Sequence, residues 1–351
     1  PYGAAVDPMP NVTALAREGI LFENAYTTYP ETVRSFFAVQ NSLYPALDTQ
    51  PEMYDHPATP ALACVLAGGG YRTGLFHSGR FVYLGMESVI RNRGYQTLED
   101  AGDIGGEHES SFGIDEPSTV RRILQWIDAG PRDQPFLVSY LPIAGHHPYA
   151  TPERGPFPED EEVGRYRNAL NYSDQALGQL IQGLRDRGLY DKTLFVIFGD
   201  HGEAFGQHRG NYGHTLFVYE ENVRVPYIIA APGLFHEPVQ VNRVASLIDT
   251  APTVFDLLGL PIPQAYQGQS LLEPESGMAL FCTDYSLGLL GLRDGRWNCI
   301  YECESGQTWL YDLQEDADER NDLAAEFPER VEVYCDHLQR WAAAQKYRVH
   351  Y

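Results

Sequence analysis

Asp200-His201-Gly202-Glu203 is the sharpest chemical signal in the chain. It follows Thr193 to Phe198 (TLFVIF), an apolar run of the length expected for a strand buried on both faces. A carboxylate and an imidazole leaving such a strand together are a common way to present ligands to a divalent metal, and the small Gly202 lets the backbone turn beside them. Other polar residues fall at similar places. Thr32 opens a helix after a strand ending at Tyr26, His77 follows Gly74-Leu75-Phe76, and His146 and His147 come shortly after Pro135 to Leu141 (PFLVSYL). His208 and His214 lie just beyond the Asp-His pair. One His at a strand end is usually a satisfied structural residue. Several together fit the carboxyl ends of strands, where open α/β sheets bind ligands. Thr32 has a plainer reading as a helix N-cap. The roles are compatible: a helix N-terminus stabilises negative charge, and metal coordination would lower the hydroxyl pKa and make it a nucleophile.

The elements that must position these groups alternate up to about residue 270. Val12 to Glu18 reads as a short helix stopped by Gly19, followed by a strand from Ile20 to Tyr26 and a helix from about Thr32 to Leu43. Pro60 to Ala67 reads as helix, Tyr71 to Phe76 as strand, and Ser118 to Ala129 as helix with Ser118 as N-cap. Val163 to Arg187 predicts a long helix, Pro226 to Ala231 a strand, and Ser246 to Leu258 another helix. This order predicts an α/β fold, a mixed and mostly parallel sheet sandwiched by helices, over residues 1–270. After Pro261-Ile262-Pro263 the texture changes. Ala279 to Thr283, Gly288 to Leu292, Trp297 to Tyr301 and Trp309 to Leu313 predict short strands, and Pro328 to Gln345 a final helix. Residues 271–351 therefore read as a small antiparallel sheet plus helix. The acidic clusters Glu159 to Glu162 and Glu315 to Glu319 read as solvated loops.

Composition excludes some functions. The 351 residues carry 48 Asp and Glu against 25 Lys and Arg, a formal net charge of −23. Such a surface opposes broad contact with nucleic acid or an anionic membrane. It leaves room for a small anionic substrate held by a local cationic site. Cys299 and Cys303 on one strand would lie roughly 13 Å apart at ~3.3 Å per residue, too far for a disulfide. No run of ~18 apolar residues spans a bilayer. Pro1 at the start reads as the edge of a processed or excised piece.

With these residues in place the chain resembles a known family. Tyr26 to Pro45, YTTYPETVRSFFAVQNSLYP, resembles the nucleophile segment of sulfatases without a gap. The resemblance continues through GYRTGLF at Gly70 to Phe76, GHHPY at Gly145 to Tyr149 and FGDHGEAFGQH at Phe198 to His208. It then takes in GHTLFVYEENVRVPYII at Gly213 to Ile229 and WLYDLQEDADERNDLA at Trp309 to Ala324. It covers nearly the whole chain and is specific to the sulfatase-like branch of the alkaline phosphatase superfamily. Where sulfatases carry the Cys or Ser that matures to formylglycine, this chain has Thr32; the motif's Arg is replaced by Phe36, with Arg34 nearby. The Lys expected after GYRTGLF is also absent, leaving His77-Ser78-Gly79-Arg80. These departures resemble the Thr-nucleophile relatives: lipoteichoic acid synthases, phosphoglycerol and phosphoethanolamine transferases, and nucleotide phosphodiesterases. Lipoteichoic acid synthases share the Thr-x-x-Ser spacing of Thr32 and Ser35.

The resemblance implies a phosphate-ester hydrolase or transferase in which Thr32 attacks phosphorus. One divalent metal (Mn, Ca, Mg or Zn) would be held by Asp200, His201 and Thr32, with a further carboxylate from a first strand that in this family precedes Tyr2-Gly3. His146 and His214 would act in catalysis, and His77, Arg34 and His208 would bind the substrate. Asp174 and the Tyr219-Glu220 pair match family positions but read better as packing and helix contacts. The implied partner is a small anionic ester, not nucleic acid, with membrane contact only through an upstream segment. The implied location is extracytoplasmic or membrane-anchored. Two alternatives stand beside this reading: an atypical sulfuric ester hydrolase without formylglycine, and an inactive sulfatase-like binding domain.

Overall fold

The computed structural model describes residues 2, 6–110, 112–235, 237–273 and 277–350, apart from the side chains of 349 and 350. The first half holds α1 (Pro10–Ala16), β1 (Gly19–Tyr26), α2 (Thr32–Asn41), α3 (Leu62–Gly68) and β2 (Arg72–His77). It continues with α4 (Met86–Ile90), β3 (Thr97–Glu99), α5 (Ala101–Ile104), α6 (Glu116–Asp128) and β4 (Phe136–Leu141). Then come α7 (Glu162–Asp186), β5 (Phe195–Phe198), the two-residue strands β6 (Ala204–Phe205) and β7 (Tyr212–Gly213), and α8 (Glu220–Val223). β8 (Arg224–Ala230), β9 (Val239–Ser246) and α9 (Thr250–Leu257) close the larger region.

The α/β architecture is the expected one. Within it, β3, β2 and β4 form a three-stranded parallel sheet, and β5, β8, β1 and β9 form a second sheet in that order. β8 departs from the parallel expectation: it runs antiparallel to both β1 and β5. Gly19 makes the first of these pairings possible, because a Cβ there would lie 2.2 Å from the Ile229 carbonyl oxygen. β9 was not legible as a strand. Its run VQVNRVAS carries polar residues on exposed positions, and Ser246 ends the strand rather than beginning a helix. Ser246 then opens a short 3-10 turn that leads into α9.

One capping expectation changes and one packing expectation holds. α6 begins two residues before Ser118, and its N-cap is Asp115, whose carboxylate accepts the Ser118 N–H at 2.9 Å. Asp174 on α7 does what a packing residue should. It accepts the backbone N–H groups of Asn11 and Val12, both at 2.9 Å, and so satisfies the start of α1.

The C-terminal region is an antiparallel meander of β10 (Met278–Thr283), β11 (Leu289–Asp294), β12 (Trp297–Glu302) and β13 (Thr308–Asp312), covered by α10 (Pro328–His350). Its core is continuous with the larger region: Tyr29, Ala38, Tyr44 and Ile248 pack with Leu280, Leu310, Leu338 and Trp341. All five cysteines are free, Cys299 and Cys303 among them, although Cys303 lies one residue beyond the end of β12 rather than on the strand. Among the described residues no helix is long and apolar enough to cross a membrane.

The Glu315 to Glu319 cluster is not wholly solvated. Glu319 is 2% exposed and accepts hydrogen bonds from the Glu220 N–H at 2.8 Å and from Asn298 Nδ2. Burial, with the Glu220 charge adding to it, pushes its carboxyl up to about 8. The folded chain therefore holds a proton that the unfolded chain releases near ~4.3, so stability falls as pH rises between those values. Glu319→Gln keeps the shape and cannot ionise. Its thermal midpoint should exceed the wild type by roughly 2–4 °C at pH 8.5 and match it near pH 4.5. Equal midpoints at both pH values would show that Glu319 carries no such proton.

Candidate active site

The site lies where β1, β2, β4 and β5 end. After β1 the chain turns through Thr27 to Pro30 and enters α2. The N-cap position belongs to Glu31, which makes no capping hydrogen bond and pairs with Arg34 at 3.0 Å. Thr32 is thus the first helical residue, not the cap. Its hydroxyl is free to point away from the helix, and it donates to Asp200 Oδ2 at 2.6 Å.

Asp200 and His201 leave β5 on a tight turn. Gly202 is required there because a Cβ would sit 2.1 Å from the Glu221 carbonyl oxygen. His201 Nδ1 lies 2.8 Å from the Gly202 carbonyl oxygen and donates to it, which assigns the other nitrogen as the lone-pair donor. That atom, Nε2, is 3.4 Å from Thr32 Oγ1 and 3.6 Å from Asp200 Oδ2. The Asp200 side chain is 40% exposed, ringed by protein but open to the cavity beside it. Burial pushes its carboxyl up, but the His201 charge, the Thr32 hydroxyl and the His214 charge outweigh that and hold it below the usual range.

Glu203, the last residue of the motif, was not singled out as a site residue from sequence. It accepts from Tyr149 OH at 2.5 Å and from His214 Nδ1 at 2.9 Å. Burial raises its carboxyl, and those hydrogen bonds with the histidine charges bring it below its ordinary value. The His214 ring stacks on His201 at 4.0 Å between centroids, so Glu203 orients one imidazole against the other. His201, Glu203 and His214 also hold ligand atoms within 4.8 Å of one another. The signal was present in sequence, since Glu203 ends the same four-residue motif.

His146 is exposed on the loop after β4; its ring lies 6.1 Å from His214 and 4.6 Å from Phe112. His77 is buried at the end of β2, with Nδ1 donating to the Leu141 carbonyl oxygen at 3.0 Å. Burial lowers its pKa below the usual imidazole value, although that carbonyl and two carboxylates pull the other way. Arg34 and His208 are not brought into the cluster. Arg34 is held by Glu31 and by the Thr49 carbonyl oxygen at 2.8 Å. His208 is held by Glu221 at 2.7 Å and the Glu319 carbonyl oxygen at 3.2 Å, and stacks on Tyr219 at 3.8 Å.

Asp200, His201 and Thr32 thus converge as a carboxylate oxygen, an imidazole lone pair and a hydroxyl oxygen. That donor set, with the His201 tautomer already assigned by Gly202, suits a divalent ion.

A carboxylate, imidazoles and a helix-opening hydroxyl gather at the strand ends of a mostly parallel α/β sheet, an arrangement that ester hydrolysis or group transfer can use. The sulfatase family model matches residues 2–260, and the chain belongs to that family. Arylsulfatase K of Bos taurus is 26% identical over 414 residues, which cover 93% of this chain and 76% of that protein. Lipoteichoic acid synthase 2 of Bacillus subtilis (strain 168) is 27% identical over 277 residues, covering 74% of this chain and 42% of the synthase. This chain therefore spans about three quarters of the first relative and under half of the second. Among solved structures, a 2-O GAG sulfatase superposes with a TM-score of 0.77 at 18% identity, covering 98% of this chain and 89% of that one. The lipoteichoic acid synthase LtaP from Listeria monocytogenes superposes with a TM-score of 0.74 at 20% identity, covering 98% and 86%. These relatives make the chain a member of an enzyme family of ester hydrolases and phosphotransferases.

Proposed function

We propose that the chain is a metal-dependent hydrolase or transferase of phosphate esters that uses Thr32 as its nucleophile. The observation that carries this reading is the 2.6 Å hydrogen bond from Thr32 Oγ1 to Asp200 at the first residue of α2, with His201 Nε2 at 3.4 Å. Thr32 Oγ1 forms the bond to phosphorus, the ester P–O bond opposite breaks, and the hydroxyl proton leaves along the hydrogen bond to Asp200. The product is a phosphothreonine. Water or an acceptor alcohol, giving its proton to the His214 or His146 imidazole that protonated the leaving oxygen, then attacks phosphorus, and the departing Thr32 oxygen takes back the proton held by Asp200. His214, oriented through Nδ1 by Glu203, and His146, oriented through Nδ1 by the His147 carbonyl oxygen at 2.8 Å, protonate the leaving oxygen when charged. A divalent ion (Mn, Ca, Mg or Zn) on Asp200, His201 and Thr32 would supply Lewis-acid charge at the phosphoryl oxygens. The chain's own share is positioning and charge, the main needs of phosphoryl transfer. With Arg34 and His208 engaged elsewhere, substrate charge falls to His146 and His214, while His77, whose charged form burial disfavours, contributes contact rather than charge.

Arylsulfatase K among the relatives favours a second reading, sulfate-ester hydrolysis. Thr32 opposes it, since formylglycine arises from Cys or Ser. By family resemblance the natural setting is extracytoplasmic or membrane-anchored, with a small anionic ester as partner. Chelated protein, with metal added back, should turn over aryl phosphate or bis-aryl phosphate faster than aryl sulfate. Aryl sulfate as much the best substrate would install the second reading. Metal-independent silence towards all three would leave a binding domain.

A further inference from the structure

The face of the C-terminal meander that α10 covers is apolar, and one of its central positions is a cysteine. Along β12, Trp297, Cys299 and Tyr301 turn towards α10, while Ile300 packs on the other side of the sheet. Cys299 pairs with Leu292 of β11 on one side and Leu310 of β13 on the other, and all three are fully enclosed. α10 answers with Val331, Tyr334, Cys335, Leu338, Trp341 and Ala342, the spacing of one helical face. Cys335 is half-buried between enclosed Tyr334 and exposed Asp336, so it meets the core on one side and solvent on the other.

The two sulfurs meet across this interface. Cys299 and Cys335 share a thiol–thiol hydrogen bond, which raises the Cys299 thiol and lowers that of Cys335, although burial of Cys335 works against the second effect. The sulfur with solvent access is therefore the one that gains thiolate character, and the enclosed sulfur is the donor beneath it. None of the other three cysteines competes for the pair. Cys282 faces the same core from β10, but it lies two strands and two residues away from Cys299. That is roughly 12 Å at ~4.8 Å per strand and ~3.4 Å per residue, beyond the reach of a disulfide. Cys64 lies on α3 and Cys303 beyond β12, and both are exposed.

We propose that Cys299 and Cys335 are a disulfide-forming pair that clamps α10 onto the meander when the chain meets a small-molecule disulfide, RSSR. The Cys335 thiolate attacks one sulfur of RSSR, forms a mixed disulfide and releases one RS−. The Cys299 thiol then gives up its proton, attacks Cys335 Sγ and expels the second RS−. Two protein thiols are oxidised to one disulfide, RSSR is reduced, and the two thiol protons end on the two RS− ions. The bond ties β12 to the helix whose Trp341 packs against Tyr44, just after α2. The inference rests on the C-terminal region and stands whether or not Thr32 is the nucleophile.

The test uses the 351-residue chain carrying Cys64→Ser and Cys303→Ser, which removes the two exposed thiols, with oxidised glutathione as the probe. Peptide mapping of the oxidised protein should find Cys299 linked to Cys335 and Cys282 still a thiol. The thermal midpoint should rise by roughly 5 °C on oxidation and return with dithiothreitol. Two further variants separate the steps. With Cys299→Ala added, Cys335 should keep one glutathione. With Cys335→Ala added, Cys299 should stay a thiol, because the enclosed sulfur cannot meet the oxidant. Glutathione retained on Cys335 while Cys299 is present and reduced would overturn the proposal. Two unmodified thiols, or a bond from either to Cys282, would do the same. A Cys299–Cys335 bond that leaves the midpoint unchanged or lowers it would remove the clamp.

Discussion

Thr32→Ala should abolish turnover, lowering kcat on the best phosphate ester by about 10³-fold or more, as loss of an activated nucleophile does. The hydroxyl contributes little to stability. It sits at the first position of α2 without capping the helix, and its removal leaves Asp200 facing the cavity rather than buried without a partner. The variant should therefore unfold at nearly the wild-type temperature while losing activity. Thr32→Ser, which restores the oxygen, should recover a substantial part of the rate. Rapid quench of the wild type with acid should trap a phosphoryl group on the peptide containing Thr32, and the Ala variant should show none. Unchanged turnover in Thr32→Ala would remove Thr32 from the chemistry and return the helix-opening hydroxyl to a structural role.

The second large effect falls on Glu116, which sequence reading passed over. It is fully buried at the first residue of α6, and one carboxylate oxygen accepts from Ser78 Oγ and Tyr140 OH. The other oxygen accepts the Ile143 N–H at 2.7 Å and the Ala144 N–H at 2.9 Å. Burial raises its carboxyl, and these donors work against that. One side chain so ties the end of β2, which carries His77, to β4 and to the loop that carries His146. Glu116→Ala would take the acceptor from four donors, two of them buried and two half-buried, and should cost on the order of 3 kcal/mol in denaturant unfolding. Turnover measured well below its unfolding midpoint should also fall, because the loop holding His146 loses its anchor. Glu116→Gln should recover part of both losses, since an amide oxygen still accepts from the loop. A Glu116→Ala protein with unaltered stability would show that these hydrogen bonds have been replaced by water at little cost.

Much of the architecture was legible because it rests on local patterns. Apolar runs such as TLFVIF and PFLVSYL carry their strand identity within a few residues. The four C-terminal strands and their helix are likewise written in short alternations and turns. What was hidden depends on distant partners. The reversed direction of β8 is set by pairing with β1 and β5, and the stretch 239–246 becomes a strand because β1 offers it an edge. The same division holds at the site. Asp200, His201 and Thr32 declared themselves by type and position at strand ends. Glu203 owes its role to His214 and Tyr149, and Glu116 to three separate segments, none of which sequence spacing can bring together. Arg34 and His208 looked like available cations, yet carboxylates near them in space occupy them. Glu319 is the same lesson in reverse, an acidic loop residue enclosed by groups from elsewhere.

The core shared by the two regions has a consequence for how the chain is made. Tyr29, three residues before Thr32, donates through its hydroxyl to Asp284 at 2.6 Å, across 255 positions of sequence. Tyr44, just after α2, packs edge-on against Trp341 of α10. The seat of the helix that Thr32 opens is therefore built in part from residues synthesised long after the helix itself. Vectorial folding can complete the parallel strands early, but it cannot lock Thr32 in place until α10 has docked. A chain halted before Trp341 would display the Thr32 hydroxyl on a helix whose flanking Tyr44 lacks its partner in α10.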